Sequence, residues 1–148
     1  MSRNPFTIVR PAAAAALGLG LALAVGPPAT AAPNSVPLNV GQETTGSNTG
    51  ASGSFTYTID GDMLCFTLNA RNLSVEATAA HIHVGDRKVA GPVVVPLGVG
   101  EGTDFSHAAC VTADAALLAA IEDSPRDYYV NVHTPTFPGG EIRGQLTH

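Results

Sequence analysis

Residues 128–146 read YYVNVHTPTFPGGEIRGQL, and they decide how the rest of the chain is interpreted. Successive side chains of a strand point to opposite faces, so the first seven residues predict a strand with one polar and one apolar face. The polar face carries Tyr129, Asn131 and His133. Proline followed by two glycines at 138–140 is typical of a turn, because proline fixes φ and glycine tolerates positive φ. The stretch therefore predicts a hairpin with His133 and Arg143 near its open end.

Alternation of apolar and polar residues, together with one short apolar run at 93–95, predicts six further strands earlier in the chain. They cover residues 36–40, 54–60, 63–71, 77–84, 93–97 and 105–111. Asp60-Gly61 is a typical hairpin turn between two of them. Pro37 favours an edge position for the first strand, because proline has no N–H to donate to a neighbouring strand. Residues 41–53 are rich in Gly, Ser, Thr and Asn, which predicts a mobile loop.

One helix is predicted after the strand at 105–111. Thr112 can cap it, Asp114 suits its first turn, and Pro125 lies just beyond its end. The apolar residues with helical spacing are Leu117, Leu118 and Ile121. Seven or eight strands, turns with glycine and proline, and one short helix predict an all-β fold, an antiparallel sandwich or a Greek-key barrel.

The first 31 residues are predicted to be a secretory signal peptide. Two arginines precede an uncharged apolar run at 12–25, and small residues at 29–31 form a cleavage site. The alternative is an uncleaved transmembrane anchor, but the apolar run is shorter than the roughly 20 residues that span a bilayer. Residues 32–148 then form one domain, without a membrane span after cleavage, secreted or held in the cell envelope.

The predicted mature domain is acidic. Removing Arg3 and Arg10 from the seven Lys and Arg leaves five against twelve Asp and Glu, a formal charge of −7. An acidic chain without a basic cluster gives no support for binding to nucleic acid or to anionic lipid. The sequence has no P-loop, no dinucleotide fingerprint and no Gly-x-Ser-x-Gly elbow, so enzymatic chemistry would have to be based on a metal.

Cys65 and Cys110 are the two cysteines of the chain. In a secreted protein they are predicted to form a disulfide, which would stabilise the fold by about 4 kcal/mol in the chain-entropy model. The alternative is two free thiols that act as soft metal ligands. Both cysteines lie on the less apolar face of their strands, which predicts a bridge outside the main core or within one sheet.

Four histidines are candidate metal ligands. His81 and His83 are one residue apart, so on a strand both imidazoles lie on the same side, about 6 to 7 Å apart at the backbone. His133 is a candidate third ligand and His107 a candidate fourth. Zinc and copper commonly take three imidazoles. The alternative is that each histidine is a surface or hydrogen-bonding residue.

Arg143 shares a predicted strand face with Glu141. A functional interpretation makes Arg143 an anion-attracting group beside the histidines, whereas an ion pair across strands is the structural alternative. Tyr129 and Asn131 are candidates to hold His133 in its orientation. Packing and strand registration explain these two side chains equally well.

Three segments of the chain resemble the CHRD domain, which is named from chordin. They are AHIHVG at 80–85, GPVVV at 91–95 with Leu97, and residues 129–145. The resemblance covers about residues 36–146. It implies an extracellular domain with an antiparallel immunoglobulin-like β-barrel, distantly similar to copper/zinc superoxide dismutase, and it implies no settled biochemical activity.

The similarity to the dismutase extends to individual residues. His81 and His83 are similar to paired copper ligands on a strand of that enzyme, His133 could supply another, and Arg143 is similar to its anion-guiding arginine. The long zinc loop has no counterpart, since residues 85–98 contain no histidine. A bridging imidazolate site is therefore not expected, and a mononuclear copper or zinc site remains.

The leading hypothesis is a secreted, non-enzymatic CHRD module that binds an extracellular protein, a matrix partner or a metal. A second hypothesis is a metal-dependent oxidoreductase of the dismutase type, built on the same histidines. A third is a small envelope or matrix protein whose role is stability and adhesion. The first two differ in their demand on the histidines, because an enzyme needs His81, His83 and His133 to converge and leave an open coordination position.

Overall fold

Residue 1 and residues 34–148 are described in a computed structural model of the protein. The predicted signal peptide, apart from residue 1, lies outside the described residues. Within residues 34–148 the chain forms eight strands, one α-helix and two short 3₁₀ turns. The strands and the helix are β1 Asn34–Asn39, β2 Ser52–Asp60, β3 Met63–Arg71, β4 Ala79–Val84, β5 Val93–Leu97, β6 Phe105–Thr112, α1 Ala115–Asp123, β7 Tyr128–His133 and β8 Ile142–Gln145.

All eight strands belong to one antiparallel sheet. Their order is β5-β4-β7-β8-β1-β2-β3-β6, so β4 pairs with β7, β8 with β1, and β3 with β6 across long connections. The sheet curls into a nearly closed barrel, which confirms the predicted all-β class with a single short helix. This order places the hairpin of β7 and β8 beside β4, which carries His81 and His83.

The core lies inside the barrel, where every second side chain of each strand points. The fully buried side chains include Val36, Phe55, Leu64, Leu68, Ile82, Val130 and Ile142. Helix α1 adds Leu118 and Ile121, both fully buried. Its N-cap is Asp114, whose carboxylate accepts the backbone N–H of Leu117 at 2.9 Å. The prediction that Thr112 caps the helix is wrong, because Thr112 still belongs to β6.

Strand β1 is not an edge strand, so that prediction is also wrong. It lies between β2 and β8, pairing with β2 along its whole length and with β8 through Asn39 and Arg143 only. The carbonyl of Pro37 faces Gly144 of β8. The backbone nitrogen of Pro37 points to the same side as its carbonyl, towards β8, but it carries no hydrogen to donate. The hydrogen-bonded ladder between β1 and β8 is therefore short.

The loop that follows β1 packs against the sheet instead of extending into solvent. It begins with the 3₁₀ turn Val40–Gln42, and Gln42, Glu43 and Ser47 are all less than 10% exposed. The composition of residues 41–53 therefore misled the sequence-based prediction of a mobile loop. Its polar side chains are used to bind the outer surface of β7 and β8.

Cys65 of β3 lies directly opposite Cys110 of β6, and the two form a disulfide. Their side chains lie on the outer face of the barrel, since the neighbouring Leu64 and Phe66 point into the core. The predicted bridge within one sheet and outside the main core is confirmed. None of the helices in the described part of the chain combines the length and apolarity required to cross a membrane.

Candidate metal centre

His81, His83 and His133 come together on the outer face of the barrel. His81 and His83 project outward from β4 because Ala80 and Ile82 between and beside them point into the core. His133 ends the neighbouring strand β7, diagonally opposite His81. One ring nitrogen from each histidine lies within 4.8 Å of the others, and His81 Nδ1 is 3.0 Å from His133 Nε2.

Backbone carbonyls fix which nitrogen of two histidines carries the proton. His83 Nδ1 lies 2.9 Å from the carbonyl oxygen of Gly91, and His133 Nδ1 lies 2.9 Å from that of Pro138. A carbonyl only accepts hydrogen bonds, so both Nδ1 atoms donate and both Nε2 atoms keep a lone pair. The Nε2 atom of His83 is buried and has no hydrogen-bond partner. This is the arrangement that second-sphere hydrogen bonds create for metal-binding imidazoles.

All three histidines are held in the neutral form that binds metals. Burial lowers the pKa of His81, and the imidazoles of His133 and His83 lower it further. Burial also lowers the pKa of His83 and of His133, although their hydrogen bonds to the Gly91 and Pro138 carbonyls act in the opposite direction. The charge of Arg143 lowers the pKa of both further. Neutral imidazoles near pH 7 do not have to release a proton before they bind a cation.

The three imidazoles fit zinc or copper as a ligand set. With metal–nitrogen distances of about 2.1 Å, two nitrogens on one tetrahedral ion are roughly 3.4 Å apart. His81 Nδ1 and His133 Nε2 are 3.0 Å apart and share a hydrogen bond that an ion would replace, and the ligand atoms of all three histidines lie within 4.8 Å of one another. Within the described residues the group contains no thiolate and no carboxylate. His81 and His133 are partly exposed, so an ion bound here would keep a coordination position open to solvent.

His107 does not join the other three histidines. It lies on β6 opposite Leu68, on the inward face, and its ring centroid is 5.9 Å from that of Phe66. The three clustered histidines lie on the outward face. Strand alternation therefore separates His107 from the candidate site. His107 lies on the same face of β6 as Phe105 and Val111, which pack against the core.

Arg143 is 1% exposed and lies in a polar layer between the sheet and the loop after β1. Its Nε atom is 3.6 Å from Glu43 Oε2, its guanidinium carbon is 3.7 Å from the ring centre of Tyr129, and one terminal nitrogen donates to the Val89 carbonyl at 2.9 Å. The ion-pair partner is thus in a loop and not on a strand. A guanidinium that is 1% exposed offers little surface to an incoming anion.

Tyr129 and Asn131 do not contact His133 in the way the sequence suggested. The ring of Tyr129 stacks on that of His83, with centroids 4.8 Å apart and planes 7° from parallel. The Asn131 amide donates to Glu43 Oε1 at 2.9 Å and to the Gly139 carbonyl at 3.4 Å. Tyr129 therefore supports the site by stacking on His83, and Asn131 supports it by joining the loop after β1 to the turn of the hairpin.

The turn of the hairpin has two functions in the site beyond reversing the chain. Pro138 supplies the carbonyl that orients His133. Gly140 has a φ of +123°, and a Cβ atom there would lie 2.3 Å from the Asn131 amide nitrogen and 2.6 Å from Glu43. Sequence reasoning missed Gly91, Pro138 and Glu43, because two of them act through the backbone and the third lies in a polar loop far along the chain.

Glu43 is the titrating group of this polar layer. Burial raises the pKa of its carboxyl from 4.5 to about 7, although Arg143 and the Thr44 N–H act in the opposite direction. The folded protein therefore holds this proton more tightly than the unfolded chain does. The stabilisation that results is fully present below pH 4.5 and is lost as the pH rises through about 7.

A Glu43→Gln variant is expected to remove this pH dependence. Relative to wild type, its free energy of unfolding should rise by about 2 kcal/mol between pH 4.5 and pH 8, since one pKa unit corresponds to about 1.4 kcal/mol and some solvent screening remains. The histidines act with the opposite sign below pH 6.5, but both proteins share that contribution. Urea denaturation at both pH values measures the difference, and a pH-independent difference would contradict the assignment.

The family model of the CHRD domain matches residues 34–146. The match includes the hairpin of β7 and β8 and all three clustered histidines. Searches of curated proteins and of solved structures gave no significant match. Because the family model covers most of the chain, the protein belongs to the CHRD domain family.

Proposed function

We propose that this CHRD domain is a secreted or cell-envelope module that binds one zinc or copper ion through His81, His83 and His133. The observation that carries the proposal is the buried Nε2 atom of His83, which has no hydrogen-bond partner and lies beside the other two imidazoles. An unpaired polar atom in a buried position costs about 1 to 3 kcal/mol, so its retention suggests a ligand.

The role of the ion is proposed to be structural or adhesive and not catalytic. An ion at this site would link β4 to β7, and through the Pro138 and Gly91 carbonyls it would fix the two loops that orient the histidines. A protein or matrix partner outside the cell is the proposed target of the surface formed in this way. The disulfide and the predicted signal peptide are consistent with an oxidising extracellular setting.

Zinc binding to the chain from residue 32 to residue 148 tests the proposal. Titration of Zn²⁺ against a competing chelator is expected to give one ion per chain. A His81→Ala/His83→Ala variant should lose more than about 100-fold in affinity, because it removes two of the three ligands. His107→Ala is the matched control, since it removes an imidazole on the inward face and should bind Zn²⁺ as wild type does.

Substoichiometric zinc that the double variant leaves unchanged would refute the proposal. An equal loss in His107→Ala would also refute it, because the loss would then follow from destabilisation and not from ligation. Cu²⁺ in a second titration distinguishes the two metals by their relative affinities for the same site.

An oxidoreductase of the dismutase type is the second candidate, favoured by the partial exposure of His81 and His133. These two side chains border a coordination position that a small oxidant could reach. Assay of the copper-loaded domain for superoxide removal separates the candidates. A binding module should show no more activity than its copper-loaded His81→Ala/His83→Ala variant, whereas an enzyme should exceed that variant by orders of magnitude.

A further inference from the structure

We propose that Tyr129 is a positioning residue that holds His83 ready for metal binding, through hydrogen bonds to Gly91. This inference rests on the proposed metal function, and it names the device that prepares one ligand of the site. The device comprises the Tyr129 phenol, the Gly91 peptide groups and the guanidinium of Arg143. None of the three touches the proposed ion.

The first observation is the stacking of Tyr129 on His83. The two residues are direct cross-strand partners in β7 and β4, and their rings lie 4.8 Å apart and 7° from parallel. Stacked rings restrict rotation of the imidazole about its χ2 angle. The plane of the His83 ring is therefore set by Tyr129.

The second observation is that one residue links the phenol to the imidazole. The Gly91 N–H donates to the Tyr129 Oη atom at 3.0 Å, and the Gly91 carbonyl accepts the His83 Nδ1–H at 2.9 Å. Gly91 can take this position because it has no side chain, since a Cβ atom would lie 1.6 Å from the carbonyl oxygen of Val84. Tyr129 thus fixes the carbonyl that determines the His83 tautomer.

The third observation is that Arg143 holds both Tyr129 and the loop that contains Gly91. Strand β7 lies between β4 and β8, so Arg143 and His83 approach the Tyr129 ring from opposite sides. The guanidinium carbon is 3.7 Å from the ring centre, and a terminal nitrogen donates to Val89, two residues before Gly91. Cation–π contact and the hydrogen bond together leave the phenol and the loop little freedom to separate.

Removing the Tyr129 hydroxyl has a defined consequence for His83. The Gly91 N–H loses its acceptor, the Gly91 carbonyl is less well fixed, and the proton of His83 is free to distribute between Nδ1 and Nε2. A proton on Nε2 blocks the lone pair that faces the other two histidines. Loss of such an orienting partner typically lowers metal affinity by about 10- to 100-fold.

The Tyr129→Phe variant tests this inference with two measurements. ¹⁵N NMR of the metal-free protein should find His83 mainly protonated on Nδ1 in wild type and as a mixture of tautomers in Tyr129→Phe. Titration with Zn²⁺ should show an affinity about 10-fold lower in the variant. Tyr57→Phe is the matched control, because its hydroxyl is also buried and donates to the Thr147 carbonyl at 3.1 Å, away from the histidines.

Unchanged tautomers and unchanged Zn²⁺ affinity in Tyr129→Phe would overturn the inference. An equal loss of affinity in Tyr57→Phe would overturn it as well, since the effect would then come from general destabilisation. If wild type binds no Zn²⁺, the proposed function fails, and the tautomer measurement alone still decides whether Tyr129 controls His83.

Discussion

A Glu141→Gln variant is expected to lose about 4 kcal/mol of folding free energy, because this carboxylate is fully buried and accepts four hydrogen bonds. Oε1 accepts from the Thr49 hydroxyl at 2.9 Å and from the Ser74 N–H at 2.8 Å. Oε2 accepts from the Ser74 hydroxyl at 2.8 Å and from the Thr134 hydroxyl at 2.9 Å. An amide removes the charge and replaces one acceptor oxygen by an NH₂ donor, so the two hydroxyls that face this NH₂ can only accept from it, and all four charge-assisted bonds are weakened or reversed in a buried place.

Urea denaturation of wild type and Glu141→Gln at pH 7 measures this loss. Glu101→Gln is the control, because Glu101 lies in an exposed loop and its neutralisation should change the stability by less than about 0.5 kcal/mol. The same small change in Glu141→Gln would mean that the four donors find other acceptors. The expected loss is large because the Glu141 carboxylate binds Thr49, Ser74 and Thr134, which lie in three separate loops.

Local periodicity predicts most of the fold, whereas the neighbours of each strand depend on distant parts of the chain. The two-residue alternation in β2 and β3 defined their strands and their shared Asp60-Gly61 turn from the sequence alone. The position of β1 between β2 and β8 depends on a strand that begins more than 100 residues later. Pro37 therefore pointed to an edge, although its effect is a shortened ladder with β8.

The candidate site was predictable to the extent that strand alternation fixes the direction of side chains. His81 and His83 share a face on any strand. The same rule places His107, the predicted fourth ligand, on the face of Phe105 and Val111, and the structure finds it there, away from the other three histidines. That His133 meets the pair follows from the pairing of β4 with β7, which no local pattern reveals.

The groups that orient the histidines were harder to predict, because they are mainly backbone carbonyls. Any residue type can supply a carbonyl, so Gly91 and Pro138 carry no sequence pattern that names their role. Glu43 lies 88 residues before its partner Asn131, in a segment whose composition suggested mobility. Three roles explain the conspicuous turn of the hairpin: it reverses the chain, its Pro138 carbonyl orients His133, and Gly140 leaves room for Asn131 and Glu43.

The disulfide is expected to have an effect of similar size to that of Glu141. A Cys65→Ser/Cys110→Ser variant should lose about 4 kcal/mol, because the bridge joins cysteines 45 residues apart and restricts the unfolded chain. Urea denaturation of the variant, compared with wild type in the presence and absence of a reducing agent, measures the loss. Reduced wild type and the double variant should agree, since serine has nearly the same size as the thiol it replaces.

The loss of stability that follows removal of the disulfide should be concentrated in β6, because β6 pairs with β3 alone within the described sheet. A strand held on one side depends on its cross-link more than a strand with two neighbours does. Hydrogen exchange in the variant is therefore expected to accelerate first in the amides of β6, at denaturant concentrations where those of β4 and β7 are still protected. Equal acceleration of exchange in β4, β6 and β7 would contradict this expectation. Such a result would mean that the barrel opens as a single unit, so that the stability of the histidine site depends on the distant disulfide.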